Sequence, residues 1–116
     1  MKILAACKKR MIEQARRDAP TETCGFFTGR AGVIDDIHPM QNVSSESRIR
    51  YEFHSVEHFK KMKELDRAGI PILGVYHSHP ASDAYPSDTD VARAMLSDGT
   101  PIFPDYLYII LSLKNP

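Results

Sequence analysis

Apolar and polar side chains recur along this chain with two different periods, and the switches between them divide it into elements. Between Ala5 and Asp18, the residues Cys7, Met11, Ile12 and Ala15 fall at helical spacing, while Lys8, Lys9, Arg10, Arg16 and Arg17 are left for the other face. That pattern predicts an amphipathic helix, closed by Pro20. "CGFFTG" (24–29) and "GVIDDIHPM" (32–40) are short apolar-rich runs around a glycine-bearing turn and read as a β-hairpin. After the polar stretch "QNVSSES" (41–47), Ile49, Tyr51 and Phe53 alternate with charged residues in "RIRYEF", the period of a half-buried third strand.

Ser55 is placed to cap a second helix in which Val56, Phe59, Met62 and Leu65 recur every three residues, with Gly69 and Pro71 as its stop. "ILGVYHSH" (Ile72–His79) is apolar almost to its end, as expected of a central strand covered on both faces. Beyond Pro80, "ASDAYP" reads as a loop, "SDTDVARAMLSDG" as a third helix and "DYLYIILSL" as another buried strand. The order α, β, β, β, α, β, α, β predicts an α/β (α+β) fold, a mixed central β-sheet flanked by helices, in a single domain spanning 1–116.

Composition removes several classes of function. A chain of 116 residues, 42% hydrophobic and 26% charged, has the size and make-up of one ordinary soluble globular domain. Its 15 basic and 15 acidic side chains cancel, so no net positive field draws it to nucleic acid or to an anionic membrane. No stretch approaches the ~20 apolar residues of a membrane span. Cys7 and Cys24 form neither a disulfide framework nor a CxxC pair, which fits a reducing, cytoplasmic setting. "LAAC" has the look of a lipoprotein cleavage box, but the six residues before Cys7 contain almost no apolar h-region.

The chemistry is concentrated in "YHSHPASDAYPSDTD" (76–90). Residues i and i+2 of a strand share a face, so His77 and His79 project together and Ser78 points away. Two parallel imidazoles can chelate one metal ion, and Asp90, at the start of the next helix, can complete a His, His, Asp set. Three protein ligands with a fourth position open is the pattern of a catalytic zinc site. The same three residue types also make the facial triad of non-haem Fe(II) oxygenases. Simpler readings exist as well: two surface histidines, and a Ser87/Asp90 capping box. The conjunction of HxHP, six residues and SxxD has a chance of occurrence on the order of 10⁻⁵ at ordinary residue usage.

This stretch resembles the signature of the JAMM metalloproteases, also called MPN+ domains. The family's pattern is a Glu near the N-terminus, then H(S/T)HP, then SxxD after a short loop. Here it reads Glu22, "HSHP" at 77–80 and Ser87 to Asp90, and "PTETCGFFTG" (20–29) is similar to the family's PxExCGxxxG segment. The resemblance implies the MPN/JAMM (cytidine deaminase-like) fold, with zinc (Zn2+) bound by His77, His79 and Asp90. It further implies that Glu22 activates the zinc-bound water and that Ser87 helps stabilise the tetrahedral oxyanion.

The implied activity is hydrolysis of a peptide or isopeptide bond after the C-terminal tail of a ubiquitin-like or sulfur-carrier protein. There is little room for the two insertions of the eukaryotic ubiquitin isopeptidases, so the chain resembles the compact prokaryotic members. Family members usually continue past the strand matching "YLYIILSL", and an end at Pro116 reads as a C-terminal truncation or a minimal form. The alternative within the family is a non-catalytic MPN scaffold, whose members typically lack the ligands retained here. Apart from the resemblance, Glu22 is one of 15 carboxylates and reads as a solvated loop residue, with Asp83 and Asp88 nearer the histidines in sequence. Cys24 reads as a small core residue rather than a nucleophile, His38, His54 and His58 as surface or helix-start residues, and Tyr106 and Tyr108 as core.

Overall fold

The structure is a computed structural model and describes residues 1–95, 103 and 105–114. Its elements are β1 (Lys2–Ile3), α1 (Ala5–Asp18), β2 (Cys24–Arg30), β3 (Val33–Met40), α2 (Ser55–Arg67), β4 (Ile72–His79), α3 (Asp88–Ala94) and β5 (Leu107–Ser112). They form one mixed sheet in the order β1-β3-β2-β4-β5. β2 is antiparallel to both β3 and β4, and β5 runs parallel to β4 after the α3 crossover.

The hairpin forms where the sequence predicts it. Ala31 and Gly32, its central pair, have φ of 54° and 76°, the positive-φ pair of a type I′ turn whose twist matches that of the flanking strands. Gly74 on β4 meets a different demand. A Cβ there would lie 1.9 Å from the carbonyl oxygen of Leu107 and 2.5 Å from the Phe27 ring, so only glycine lets β5 close on β4.

Alternation along β2 and β4 sorts the sheet into two faces. Phe27 and Tyr76 join Cys7 and Met11 of α1 with Ile34 and Ile37 in the buried core. Gln14, polar and absent from the expected apolar stripe of α1, is buried there too. Its Oε1 accepts from the Tyr76 hydroxyl at 2.5 Å and its Nε2 donates to the Cys24 carbonyl at 3.2 Å, so both ends of the amide are satisfied. On the opposite face Phe26 packs against Phe53 and His58, with ring centroids 4.9 and 5.0 Å away. His77 and His79 belong to that second face.

Several expectations about the elements require correction. "RIRYEF" is not a strand: residues 45–49 form turns and Phe53 makes only an isolated bridge to Asn42. The reason is that the segment's main-chain groups are engaged elsewhere: the Asn42 side chain accepts from the Ser44 and Glu52 amides and donates to the Arg50 carbonyl, which folds the segment back as a turn region instead of an extended strand. Tyr51 and Phe53 still turn inward onto His77 and Phe26, whereas Ile49 is 63% exposed.

In α2, Phe59 is 62% exposed and Leu65 alone is buried. At about 100° per residue, a three-residue repeat turns back by about 60° at each step, so Val56 to Leu65 cannot all face one sheet. The cap is His54 rather than Ser55, its Nδ1 accepting from the Glu57 amide at 3.4 Å.

The sequence pattern predicts a third helix as far as Gly99, but α3 ends at Ala94 and Met95 is extended; residues 96–99 lie outside the described residues. No helix among the described residues is long and apolar enough to cross a membrane.

Candidate metal centre

The site is built by strand register. Cys24 pairs with His77 in the β2–β4 ladder, and the pairing is extended one residue by main-chain donation from Ser78 to Thr23 at 3.0 Å and from the Thr23 amide to Ser78 Oγ at 2.7 Å. Counting back in twos from Cys24 puts Glu22 on the His77 and His79 face. Ser78, on the other face, thus fastens the segment that delivers Glu22.

Asp90 arrives from the first turn of α3. Ser87 Oγ accepts from the Asp90 amide at 3.1 Å, and Asp90 Oδ2 accepts from the Ser87 amide at 2.9 Å, a complete capping box. The same Oδ2 lies 3.1 Å from His77 Nε2 and 3.2 Å from His79 Nε2, and the two Nε2 atoms are 3.1 Å apart. A carboxylate oxygen of Glu22 lies within 4.8 Å of both imidazoles.

The chemistry of this donor set suits a cation. His79 Nδ1 is 2.9 Å from the Asp83 carbonyl oxygen, which can only accept, so Nδ1 carries a proton and the matching neutral tautomer is the one whose Nε2 presents a lone pair. That lone pair, the anionic Asp90 Oδ2 and the His77 Nε2 converge on one another, an arrangement that a shared cation stabilises. Ligands at zinc distances from a tetrahedral centre stand about 3.3 Å apart, close to the separations of 3.1–3.2 Å found here. His79, Asp90 and His77 therefore fit a metal, and the Nδ1–H to carbonyl bond is the usual way a ligating imidazole is oriented.

Electrostatics agree with that geometry. Burial, reinforced by His79, pushes His77 below its usual range against the pull of Asp90, which favours the neutral ligand form. Asp90 is held low: burial opposes ionisation, but the Ser87 amide and the neighbouring His77 outweigh it. Glu22 is 4% exposed, and burial pushes it up to about 7, with Asp90 adding to the shift and His79 opposing. Among the described residues, Glu22 Oε1 and His77 Nδ1 are buried polar atoms without a hydrogen-bond partner.

Thus His77, His79, Asp90 and Glu22 come together, while the Ser87 hydroxyl is engaged as a helix cap beside them. Asp83 and Asp88 do not take part through their carboxylates: Asp83 pairs with Lys114 at 3.4 Å and Asp88 is exposed. Cys24 is fully buried, its thiol pushed up to about 12 by burial, which makes it inert as a nucleophile.

Tyr106 and Tyr108 are not core residues. With Tyr51, Val91 and Ile110 they line a cavity of about 300 Å³ that His77 and Asp90 also border, since β5 is the edge strand on this side of the sheet. Tyr51 is a contact that sequence reasoning missed: its ring stacks on His77 with centroids 4.6 Å apart and planes at 27°, and its carbonyl accepts from Arg93 of α3 at 2.8 Å. The only signal was its place on the apolar side of the supposed strand.

Comparison with known proteins gives the family and the fold. Residues 4–116 match the family model described as prokaryotic homologs of the JAB domain. The chain is 38% identical over 102 residues to a desampylase of Haloferax volcanii, covering 86% of this chain and 68% of that protein. It is 37% identical over 109 residues to the CysO-cysteine peptidase of Mycobacterium tuberculosis, covering 91% and 68%. Among solved structures, a protein of Desulfitobacterium hafniense superposes with a TM-score of 0.81 at 28% identity, covering 99% of this chain and 76% of that one. A JAB1/MPN domain protein of Archaeoglobus fulgidus shares the fold, with a TM-score of 0.55 at 24% identity over 79% of this chain and 66% of that one. The chain therefore belongs to the prokaryotic JAB-domain family and is a hydrolase of the JAMM/MPN+ type.

Proposed function

We propose that this protein is a zinc-dependent peptidase or isopeptidase that cuts after the C-terminal tail of a ubiquitin-like or sulfur-carrier protein. The observation that carries the chemistry is the convergence of His77 Nε2, His79 Nε2 and Asp90 Oδ2 within 3.1–3.2 Å, next to a buried Glu22 with an unpartnered oxygen. The two imidazoles and Asp90 hold the metal. When bound, zinc supplies Lewis acidity, making water a stronger acid and polarising the scissile carbonyl. Glu22 takes the proton of the attacking water and delivers it to the leaving amine; a carboxylate whose pKa lies near neutrality is matched to both transfers. Ser87 turns its remaining hydroxyl proton toward the developing oxyanion, in addition to capping α3.

The substrate class rests on the relatives. The similar proteins include a desampylase, a CysO-cysteine peptidase and, at 34% identity over 88 residues covering 72% of this chain and 59% of that protein, a probable TtuB-protein conjugate cleaving protease of Thermus thermophilus. Metal analysis of the purified protein, paired with cleavage of a ubiquitin-like protein extended beyond its Gly-Gly terminus, tests the reading. Stoichiometric zinc and chelator-reversible release of the extension are expected. A metal-free preparation that cleaves at the same rate would end the proposal.

A further inference from the structure

Glu22 lies outside the regular ladder, beyond the last β2–β3 pair of Cys24 with Met40. The sheet therefore does not hold its main chain on the hairpin side. What holds it is the segment that follows β3. The Glu22 amide donates to the Ser47 carbonyl at 2.7 Å, and the Glu22 carbonyl accepts from Asn42 Nδ2 at 2.9 Å.

Asn42 is the centre of that segment. Its Nδ2 also donates to the Arg50 carbonyl at 3.0 Å and contacts the Ser47 carbonyl at 3.4 Å. Its Oδ1 accepts from the amides of Ser44 at 3.0 Å and Glu52 at 3.2 Å. One side chain thereby ties both ends of the turn region 44–52 to each other and to the main chain of Glu22. Because only an amide offers two donors and an acceptor at this reach, no other residue type of similar size reproduces the set.

We infer that Asn42 is a positioning residue for the hydrolysis: through the Glu22 carbonyl it sets where the Glu22 carboxylate stands relative to the His77 and His79 imidazoles. This rests on Glu22 being the base proposed above. Glu22 Oε1 has no hydrogen-bond partner among the described residues, so the carboxylate's location depends on its main chain and on packing. A reacting group displaced by about 1 Å can lose on the order of 10²-fold in rate.

Asn42→Asp separates positioning from folding. It keeps the oxygen that accepts from Ser44 and Glu52, and it removes the donors to Glu22 and Arg50. With a ubiquitin-like fusion extended beyond Gly-Gly as substrate, kcat should fall at least ~10-fold while KM stays within about 2-fold and the zinc content remains stoichiometric.

Ser44→Ala serves as the control, since it breaks a bond of the same turn, from the Glu46 amide to Ser44 Oγ at 3.1 Å, without touching Glu22. It should leave kcat unchanged. Parental kcat in Asn42→Asp overturns the inference, as does an equal loss in Ser44→Ala or a defect confined to KM or to zinc content. If Asn42→Asp does not fold, the uncharged Asn42→Thr is read by the same criteria, and failure of both to fold assigns Asn42 a purely structural role and overturns the inference. Glu22→Gln is measured alongside: normal turnover there removes the base itself, whereas an inactive Glu22→Gln with a normal Asn42→Asp removes only the positioning role.

Discussion

His79 donates through Nδ1 to the main-chain carbonyl of Asp83 across 2.9 Å, and its Nε2 stands 3.2 Å from Asp90 Oδ2. With the ring neutral, that Nε2 is a lone pair facing a carboxylate oxygen, and two electron-rich atoms so placed gain from a cation between them. Stripping the metal with a chelator should therefore lower the melting temperature at neutral pH, and zinc should restore it. At a free zinc concentration 1,000 times Kd the gain is about 4 kcal/mol. His77→Ala and Asp90→Ala should lose both metal and turnover, while Glu22→Gln should keep the metal and lose turnover. An unchanged melting temperature on chelation would show that the three side chains do not bind metal in the folded state.

The metal-free protein should also carry a pH signature from Glu22. Burial pushes its pKa up to about 7 in the folded chain, against about 4.3 for an exposed glutamate, so the folded state binds this proton more tightly than the unfolded state does. The resulting stability is fully present below the unfolded value and is lost as the pH rises through about 7. Metal-free Glu22→Gln should therefore be more stable than the metal-free parent at pH 8 and nearly equal to it at pH 4. Urea melts at the two pH values measure the difference; parallel curves would mean that the Glu22 carboxylate is solvated.

Ser87→Ala distinguishes a cap from an oxyanion donor. Ser87 Oγ accepts from the Asp90 amide at 3.1 Å, and loss of such a cap costs about 1 kcal/mol. Loss of a donor to the oxyanion costs ~10²-fold or more in kcat. We expect the kinetic defect to exceed the stability defect by a wide margin. A melting shift accompanied by normal kcat would leave Ser87 as a cap only.

Gly74→Ala should be strongly destabilising, because the added methyl meets the Leu107 carbonyl oxygen at 1.9 Å and cannot be accommodated while β4 and β5 remain paired. Overpacking of this kind costs about 1–3 kcal/mol. The check is a denaturant midpoint, and a wild-type midpoint would place β5 elsewhere.

Substrate choice can be probed at the carrier tail. Glycine lets a substrate backbone approach a catalytic centre closely, so replacing the terminal Gly-Gly of a ubiquitin-like substrate by Val-Val should lower kcat/KM at least ~10-fold. Equal cleavage of both, or faster cleavage of unrelated unfolded peptides, would remove the carrier-tail reading and leave the zinc chemistry standing.

The chain's periodicities were enough to delimit α1, the hairpin and β4, because each of those elements draws its pattern from burial that local spacing reports. The paired face of His77 and His79 follows from the period of a strand alone, and Asp90 at a helix start follows from its capping spacing to Ser87. Other features depend on what lies across space. "RIRYEF" carries a strand's alternation, but its main-chain groups at Arg50 and Glu52 bond to the Asn42 side chain, and only the folded turn region reveals that they are not available to a ladder. Tyr51 on His77, and Asn42 on the Glu22 carbonyl, join residues 26 and 20 positions apart, and neither contact leaves a local periodic trace. Glu22 shows the limit most clearly: its sequence neighbourhood gives no sign of burial in an unpaired state, and its raised pKa comes from the burial that the β2–β4 register imposes, with Asp90 adding to the shift and His79 opposing it.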